Sequence, residues 1–399
     1  MISLVSEPMF LPGDADVVDM RLLWLYTTTT HLSFSPNSGK MRVIDDILKV
    51  KIVQYAFQSP FLMDCILGLS ALHLQHISDG SSVEVPRAKS LAYRARAFQG
   101  YRRAIEGGRR EDFPALLACS LLLCALSSDA LRDDSTKPFY IIDWMVVWRG
   151  IGLIIEMITP AAMFESGLEP LFFRPRIDLN ASALHIPPNL LFMVSSIGED
   201  DPEYQYVEVY YETLKYLGSL YKELVEGFGP LFDLRVIVWF TFLPKDFVEL
   251  AKKLRPRALV IIAHYLVFTK VLEHPWWMHG ISDRELQNIW RFLGEEWYTV
   301  LRAPVGAIGL SDRTALAKLL LDNHSWEPPP GHDYEGSVDP RTTLLSFVDD
   351  VGKEVVYTGQ FHYKLPTRAK PVWNIKPSES PSPEHDSSSS SADSTPSPS

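Results

Sequence analysis

Apolar residues recur at helical spacing along most of this chain, up to Trp326. In the stretch 61–77 they fall at 62, 66, 69, 72, 74 and 77, the 3.6-residue stripe of a largely buried helix. In 88–106, Leu91, Ala95, Phe98, Arg102 and Ile105 lie on one line, and Lys89, Arg94, Arg96 and Arg103 cover the opposite side. The same period predicts helices over 114–127, 139–158, 203–226, 245–254, 256–272, 282–302 and 312–321. Ser282-Asp283 and Ser311-Asp312 supply N-cap chemistry for two of them, and Pro256 suits the first turn of a third. Period-two alternation is scarce and no fixed-length repeat is evident, so the expected class is all-α, with roughly ten or more packed helices.

The pattern changes after Trp326. Glu327-Pro328-Pro329-Pro330-Gly331 cannot continue a helix and reads as a break. Beyond it, apolar residues at 344, 345, 347, 348 and 351 suggest a short helix over 341–351, and 355–363 suggests an extended segment docked on the body. The stretch 378–399 holds 11 Ser, 4 Pro and four acidic residues with no Lys or Arg, a composition that cannot offset its ordering entropy by burial. The expected organisation is an N-terminal arm over 1–17, a helical domain over 18–326, an irregular and partly docked segment over 327–377, and a disordered tail over 378–399.

Composition narrows the function. The net charge is −11, of which the tail supplies −4, and this balance argues against a general nucleic-acid binder. Three cysteines, Cys65, Cys119 and Cys124, build neither a disulfide framework nor a structural zinc cluster. The N-terminus has no basic n-region followed by an apolar run. The longest uncharged stretch, 113–128, is shorter than the roughly 20 residues a spanning helix needs. It reads as a core helix, and the chain as soluble and intracellular without a membrane span.

No catalytic or metal motif stands up. Gly68-Leu69-Ser70-Ala71-Leu72 lacks the second glycine of a nucleophile elbow and its flanks are helical. His73 and His76 share a helix face but have no third ligand at a telling spacing. Cys119 and Cys124 sit five apart on an apolar helix, where free thiols pack as core. Arg102-Arg103 and Arg109-Arg110 form a small basic patch that reads as a solvated helix face. The chain has no glycine-rich phosphate loop and no metalloprotease or dinucleotide fingerprint, so no cofactor is expected. What stands out is 10 Trp, 16 Tyr and 20 Phe, clustered at 239–242, 274–280 and at Trp290 and Trp297. Such clusters fill a core or line an apolar ligand cavity between helices.

Three segments together resemble one family. They are Met20-Arg-Leu-Leu-Trp-Leu-Tyr-Thr-Thr-Thr-Thr-His-Leu-Ser-Phe-Ser35, Val53-Gln-Tyr-Ala-Phe-Gln-Ser-Pro-Phe-Leu-Met-Asp-Cys-Ile-Leu-Gly-Leu-Ser-Ala-Leu-His-Leu74, and Arg255-Pro-Arg-Ala-Leu-Val-Ile-Ile-Ala-His-Tyr265 followed by Trp276, Trp277 and Gly280. Their order and spacing resemble the regulatory domain of fungal zinc-cluster transcription factors, closest to the sterol uptake control type, over roughly residues 18–305. The resemblance implies a helical regulatory domain that senses a sterol or another hydrophobic ligand and controls transcription of sterol or secondary-metabolite genes. It implies a nuclear location, with the cytoplasm as a second. The family's six-cysteine zinc cluster has no counterpart in this sequence, so direct DNA binding by that route is not expected. Action through a protein partner or a homodimer is expected instead.

For a ligand site, the helix 256–272 and the segment 274–280 are the expected wall. His264 and Tyr265 offer a polar anchor for a hydroxyl, and Trp276 and Trp277 the apolar bulk. The competing reading has Trp276-Trp277 and Gly280 simply closing a helix hairpin before Ser282. Two other functional classes stay open at this point. One is a stand-alone lipid or sterol binding module without transcriptional output. The other is an enzyme, which requires convergence of groups such as His264, Tyr265, His274 and His279.

Overall fold

The computed structural model describes residues 16–329, apart from 39–40, 79–84, 86, 159 and 173–175, and three short strands further on. Seven helices frame the body: α1 (Val17–Thr28), α2 (Pro60–Ile77), α3 (Arg87–Gly107), α4 (Phe113–Ser127), α5 (Tyr140–Met157), α6 (Val207–Glu226) and α7 (Pro256–Val271). Proline opens α2, α4 and α7, where its missing N–H costs nothing. The Asp16 carboxylate starts α1 by accepting the Val18 N–H at 2.9 Å. Shorter helices close the domain, among them Lys245–Lys252, Asp283–Leu293, Tyr298–Gly306 and Arg313–Leu320. The class is all-α, as the periodicity predicts.

Two predicted helix starts behave differently. Asp312 caps its helix, accepting the Ala315 N–H at 2.6 Å. Ser282 does not cap, because its hydroxyl is engaged by Thr269 of α7. The expected helix over 282–302 is two helices, broken at Gly294 and separated by the turn Glu295–Trp297.

Two helices carry the core. α4 buries fourteen of its fifteen residues and α7 thirteen of sixteen, so neither has a solvent face. The stretch Arg110–Leu131 is long and apolar enough to cross a membrane, and 89% of its apolar window lies inside the body. It packs against α2, α3 and α5, as a core helix does. α7 is wrapped by α6 and by the helices Lys245–Lys252, Asp283–Leu293, Tyr298–Gly306 and Arg313–Leu320. Charged groups pin loops to these helices. Arg257 of α7 holds Glu203 at 2.7 Å and Asp201 at 3.1 Å. The buried Glu285 carboxylate accepts the Ile141 N–H at 3.2 Å in the first turn of α5.

The α2–α3 contact corrects one detail of the sequence pattern. The buried positions of α3 are Tyr93, Ala97 and Ala104, not the line from Leu91 to Ile105, of which Leu91 is half exposed. Small residues win this face because the helices meet closely. A Cβ on Gly100 would lie 2.5 Å from the Phe61 Cβ. Arg96 pairs with Asp64 across the contact, and Lys89 of α3 pairs with Asp16 and Asp19 at the start of α1. Partly exposed pairs of this kind contribute about 1 kcal/mol each, so apolar packing dominates.

The helical run ends at Leu320, close to the break read from the prolines. Trp326 turns back onto Phe228 with ring centroids 5.5 Å apart, edge to face. The segment 341–351 is not helical where described. Leu345–Val348 is strand β1, pairing antiparallel with β2 (Glu354–Thr358), which pairs antiparallel with β3 (His362–Lys364). The extended reading of 355–363 agrees with this sheet, and β1 lies beside the turn Trp239–Phe242. The residues 378–399 and most of the 1–17 arm lie outside the described part.

The close approach at Gly100 makes a paired prediction. Gly100→Ala lowers stability by about 1–3 kcal/mol through overpacking against Phe61. Gly150→Ala, in α5 where a Cβ meets nothing within 4 Å, raises it by about 0.5–1 kcal/mol. Urea denaturation midpoints of the two variants check both signs.

Candidate functional site

The four residues expected to form one wall are distributed over three environments. His264, in the middle of α7, is buried. Its Nε2 lies 2.7 Å from the Val300 carbonyl and its Nδ1 lies 2.8 Å from the Tyr221 hydroxyl. A carbonyl can only accept, so Nε2 carries the proton and Nδ1 accepts from Tyr221. Burial pushes the imidazole down to about 4, which keeps it neutral, and pushes the Tyr221 phenol up.

This relay forms part of the lining of a cleft of about 700 Å³. The loop 184–189, Tyr298, Ala303 and Leu319–Leu321 also line it. Arg302 and Asp322, paired at 2.6 Å, sit at its solvent side. The volume falls within the roughly 300–1,000 Å³ typical of small-molecule sites. One lone pair of the Tyr221 oxygen remains available to accept a hydrogen bond from a ligand hydroxyl.

Tyr265 points elsewhere. Its hydroxyl donates to the Val236 carbonyl at 3.0 Å, and its ring stacks on Trp239 at 4.4 Å. It is fully buried and lines neither cavity described here. Trp277 donates its Nε1–H to the Phe34 carbonyl at 2.9 Å and lines a second cavity of about 70 Å³ with Phe34 and Trp148. That space is too small for a sterol-sized molecule. Trp276 stacks on His73 at 4.5 Å, and His73 bonds Thr30 at 2.9 Å. The loop itself is clamped. Ser128 donates to the Trp277 carbonyl at 2.8 Å and Arg132 to the His279 carbonyl at 2.7 Å. Gly280 adopts φ 71°, the left-handed turn that glycine favours. These contacts favour the hairpin-closing role for Trp276, Trp277 and Gly280.

The comparisons with known proteins cover part of the chain. Residues 28–163 match the fungal specific transcription factor domain. A Zn(2)-C6 fungal-type transcription factor of Gibberella zeae is 22% identical over 318 residues, 72% of this chain and 61% of the relative. Sterol uptake control protein 2 of Saccharomyces cerevisiae is 24% identical over 302 residues, 71% of this chain and 31% of the relative. The protein of the same name from Candida albicans is 23% identical over 314 residues, 73% of this chain and 43% of the relative. This chain resembles fungal zinc-cluster transcription factors. It spans between about a third and three-fifths of the length of these relatives.

In this transcription-factor-like body the remaining chemical candidates read as structure. Among the described residues no three His, Cys, Asp or Glu side chains gather to hold a metal ion. Cys65, Cys119 and Cys124 are buried free thiols, and burial raises those of Cys119 and Cys124. Ser70 is buried in the α2 core. His264, Tyr265 and His279 each bond a different backbone carbonyl, at Val300, Val236 and Glu273, so these three do not bond to one another. Arg102, Arg103, Arg109 and Arg110 are exposed, and Arg109 holds Asp112 at 2.9 Å. Sequence reasoning missed Tyr221, the 184–189 loop and Trp148. Trp148 carried a signal, since it follows Trp144 by one turn on the apolar stripe of α5.

Burial holds both His73 and His264 at about 4, against an ordinary 6.5. Between those values the unfolded chain takes up protons that the folded chain refuses. Their stabilising contribution is therefore present above pH 6.5 and is lost as pH falls toward 4. The slope is at most about 1.4 kcal/mol per pH unit for each histidine. Chemical denaturation at pH 7, 6 and 5 should show this decline, and His264→Gln should show a shallower one from a lower starting stability.

Proposed function

We propose that this chain is a transcription-regulator-like protein of the sterol uptake control type, working in the nucleus through contacts with other proteins. The observation that carries the reading is the match of residues 28–163 to the fungal specific transcription factor domain. Two sterol uptake control proteins align with more than two-thirds of the chain and add support. Sterol or secondary-metabolite genes are the proposed targets.

The same proposal includes a hydrophobic ligand, and the 700 Å³ cleft is where it would sit. Leu184, Pro187, Pro188 and Leu319–Leu321 give it apolar wall, the Tyr221–His264 pair gives a buried polar point, and His185, Asn189 and Thr299 add further polar groups. An amphipathic molecule with an apolar body and hydroxyl groups complements that arrangement. Burial of its apolar surface would supply most of the affinity, at about 25 cal/mol per Å² before the costs of association.

Titration with a fluorescent sterol tests this reading. Saturable binding is expected, and Ala303→Trp, which fills the cleft from the Tyr298–Gly306 helix, should abolish it while the melting temperature holds. Binding unchanged by Ala303→Trp, or no binding to the folded wild-type chain, contradicts the cleft as the ligand site. Changed expression of sterol or secondary-metabolite genes on deletion tests the transcriptional part, and an unaltered transcript set contradicts it.

A further inference from the structure

A proline inside one of the helices that line the cleft decides which way the protons of the Tyr221–His264 pair point. Pro304 lies within the helix Tyr298–Gly306. The carbonyl four residues before it is that of Val300, and proline has no N–H to give it. That carbonyl is met instead by His264 Nε2 of α7, at 2.7 Å. Nε2 therefore holds the one hydrogen of the neutral ring, and Nδ1 holds a lone pair. The Tyr221 hydroxyl, 2.8 Å from Nδ1, points its hydrogen there. Tyr221 is 3% exposed and His264 2%, and burial keeps both uncharged. The Tyr221 oxygen thus joins the cleft lining as an acceptor with no hydrogen left to offer.

His185, half-buried in the same lining, is set the same way. Its Nδ1 lies 3.1 Å from the Ala181 carbonyl, so Nδ1 carries the hydrogen and Nε2 of the neutral ring keeps a lone pair. The lining groups that can donate lie nearer water. Thr299 and Arg302 are exposed, Arg302 is held by Asp322, and Asn189 is half-buried. Water replaces a missing partner at such positions, whereas a mismatch at a buried group is not relieved.

We infer that the cleft selects for a free hydroxyl: it takes a neutral apolar alcohol and rejects the ketone, ester or ether of the same skeleton, with His264 as the positioning residue that imposes this choice on Tyr221. A ketone, ester or ether brings only lone pairs. To bond one, Tyr221 must turn its hydrogen away from Nδ1, and a buried imidazole lone pair is left without a donor. An alcohol supplies its own hydrogen to the Tyr221 oxygen and leaves the bonds to His264 and Val300 in place. Successive bonds of this kind polarise and strengthen one another. The inference rests on the proposed use of this cleft as a ligand site, and it holds for any apolar alcohol, sterol or not.

A matched pair of small probes tests it on the full chain. Cyclohexanol and cyclohexanone are close in size and apolar surface, and only the alcohol has a hydroxyl hydrogen. Long-range proton–nitrogen NMR of protein carrying isotope-labelled histidine, with the His264 signals assigned from His264→Gln, should show the hydrogen on Nε2. Cyclohexanol should shift the His264 ring nitrogens saturably, and cyclohexanone should need at least about ten times the concentration to do so. Tyr221→Phe should remove the preference for the alcohol. Should that variant fail to fold, the wild-type spectrum and the two-probe comparison decide alone. A hydrogen on Nδ1 of His264, an equal response to the two probes, or a response to neither overturns the inference, as does a preference that survives in folded Tyr221→Phe. A fluorescent sterol that fails to bind while cyclohexanol keeps its preference counts against the sterol and for this inference.

Discussion

A helix without a solvent face must place every polar side chain it carries against a partner inside the protein. α7 is such a helix, and most of the C-terminal half of the body is arranged around that requirement. His264 reaches Tyr221 on α6 and the Val300 carbonyl, Tyr265 reaches the Val236 carbonyl, and Thr269 reaches Ser282. Each bond ties α7 to a different element. Leaving any of these groups unpaired costs about 1–3 kcal/mol, so the bonds fix the register of the surrounding helices as well as satisfying the residues themselves.

That arrangement accounts for the cleft. The helix Tyr298–Gly306 is held against α7 by His264, and α6 by Tyr221, while the loop 184–189 and the end of Arg313–Leu320 complete the walls. The aromatic wealth of the chain is spent mainly on the other side of α7. Tyr265 stacks on Trp239, and Phe240 packs edge to face on Trp144, which continues toward Trp277. Aromatic clusters therefore build the rigid support, and a mixed lining of leucines, prolines and polar groups, among them Tyr221, His264, His185, Asn189 and Thr299, borders the larger space.

The helices were legible because their apolar residues repeat at 3.6 and because prolines and Asp312 mark their starts. Ser282 misled because a serine before a helix caps it only when no nearer partner competes, and Thr269 does. The apolar positions at 344, 345, 347 and 348 fit a helix and a strand alike over so short a run, and the sheet pairing Leu345 with Tyr357 decided the matter. His264 was legible as a buried polar residue, but its partner Tyr221 lies 43 residues away and the cleft joins five separated stretches. No local pattern encodes such a meeting. The tryptophans at 276 and 277 drew attention as a ligand wall, whereas the clamp by Ser128 and Arg132 that defines the loop comes from about 150 residues earlier.

If α7 is the element on which the others depend, its backbone should open only when the whole domain unfolds. Hydrogen exchange measured across a series of denaturant concentrations tests this directly. The amides of residues 259–271, those hydrogen-bonded within the helix, should exchange at the slowest rate in the protein, with the denaturant dependence of global unfolding. Exchange of these amides through a low-energy local opening, insensitive to denaturant and faster than that of α4, would contradict the account.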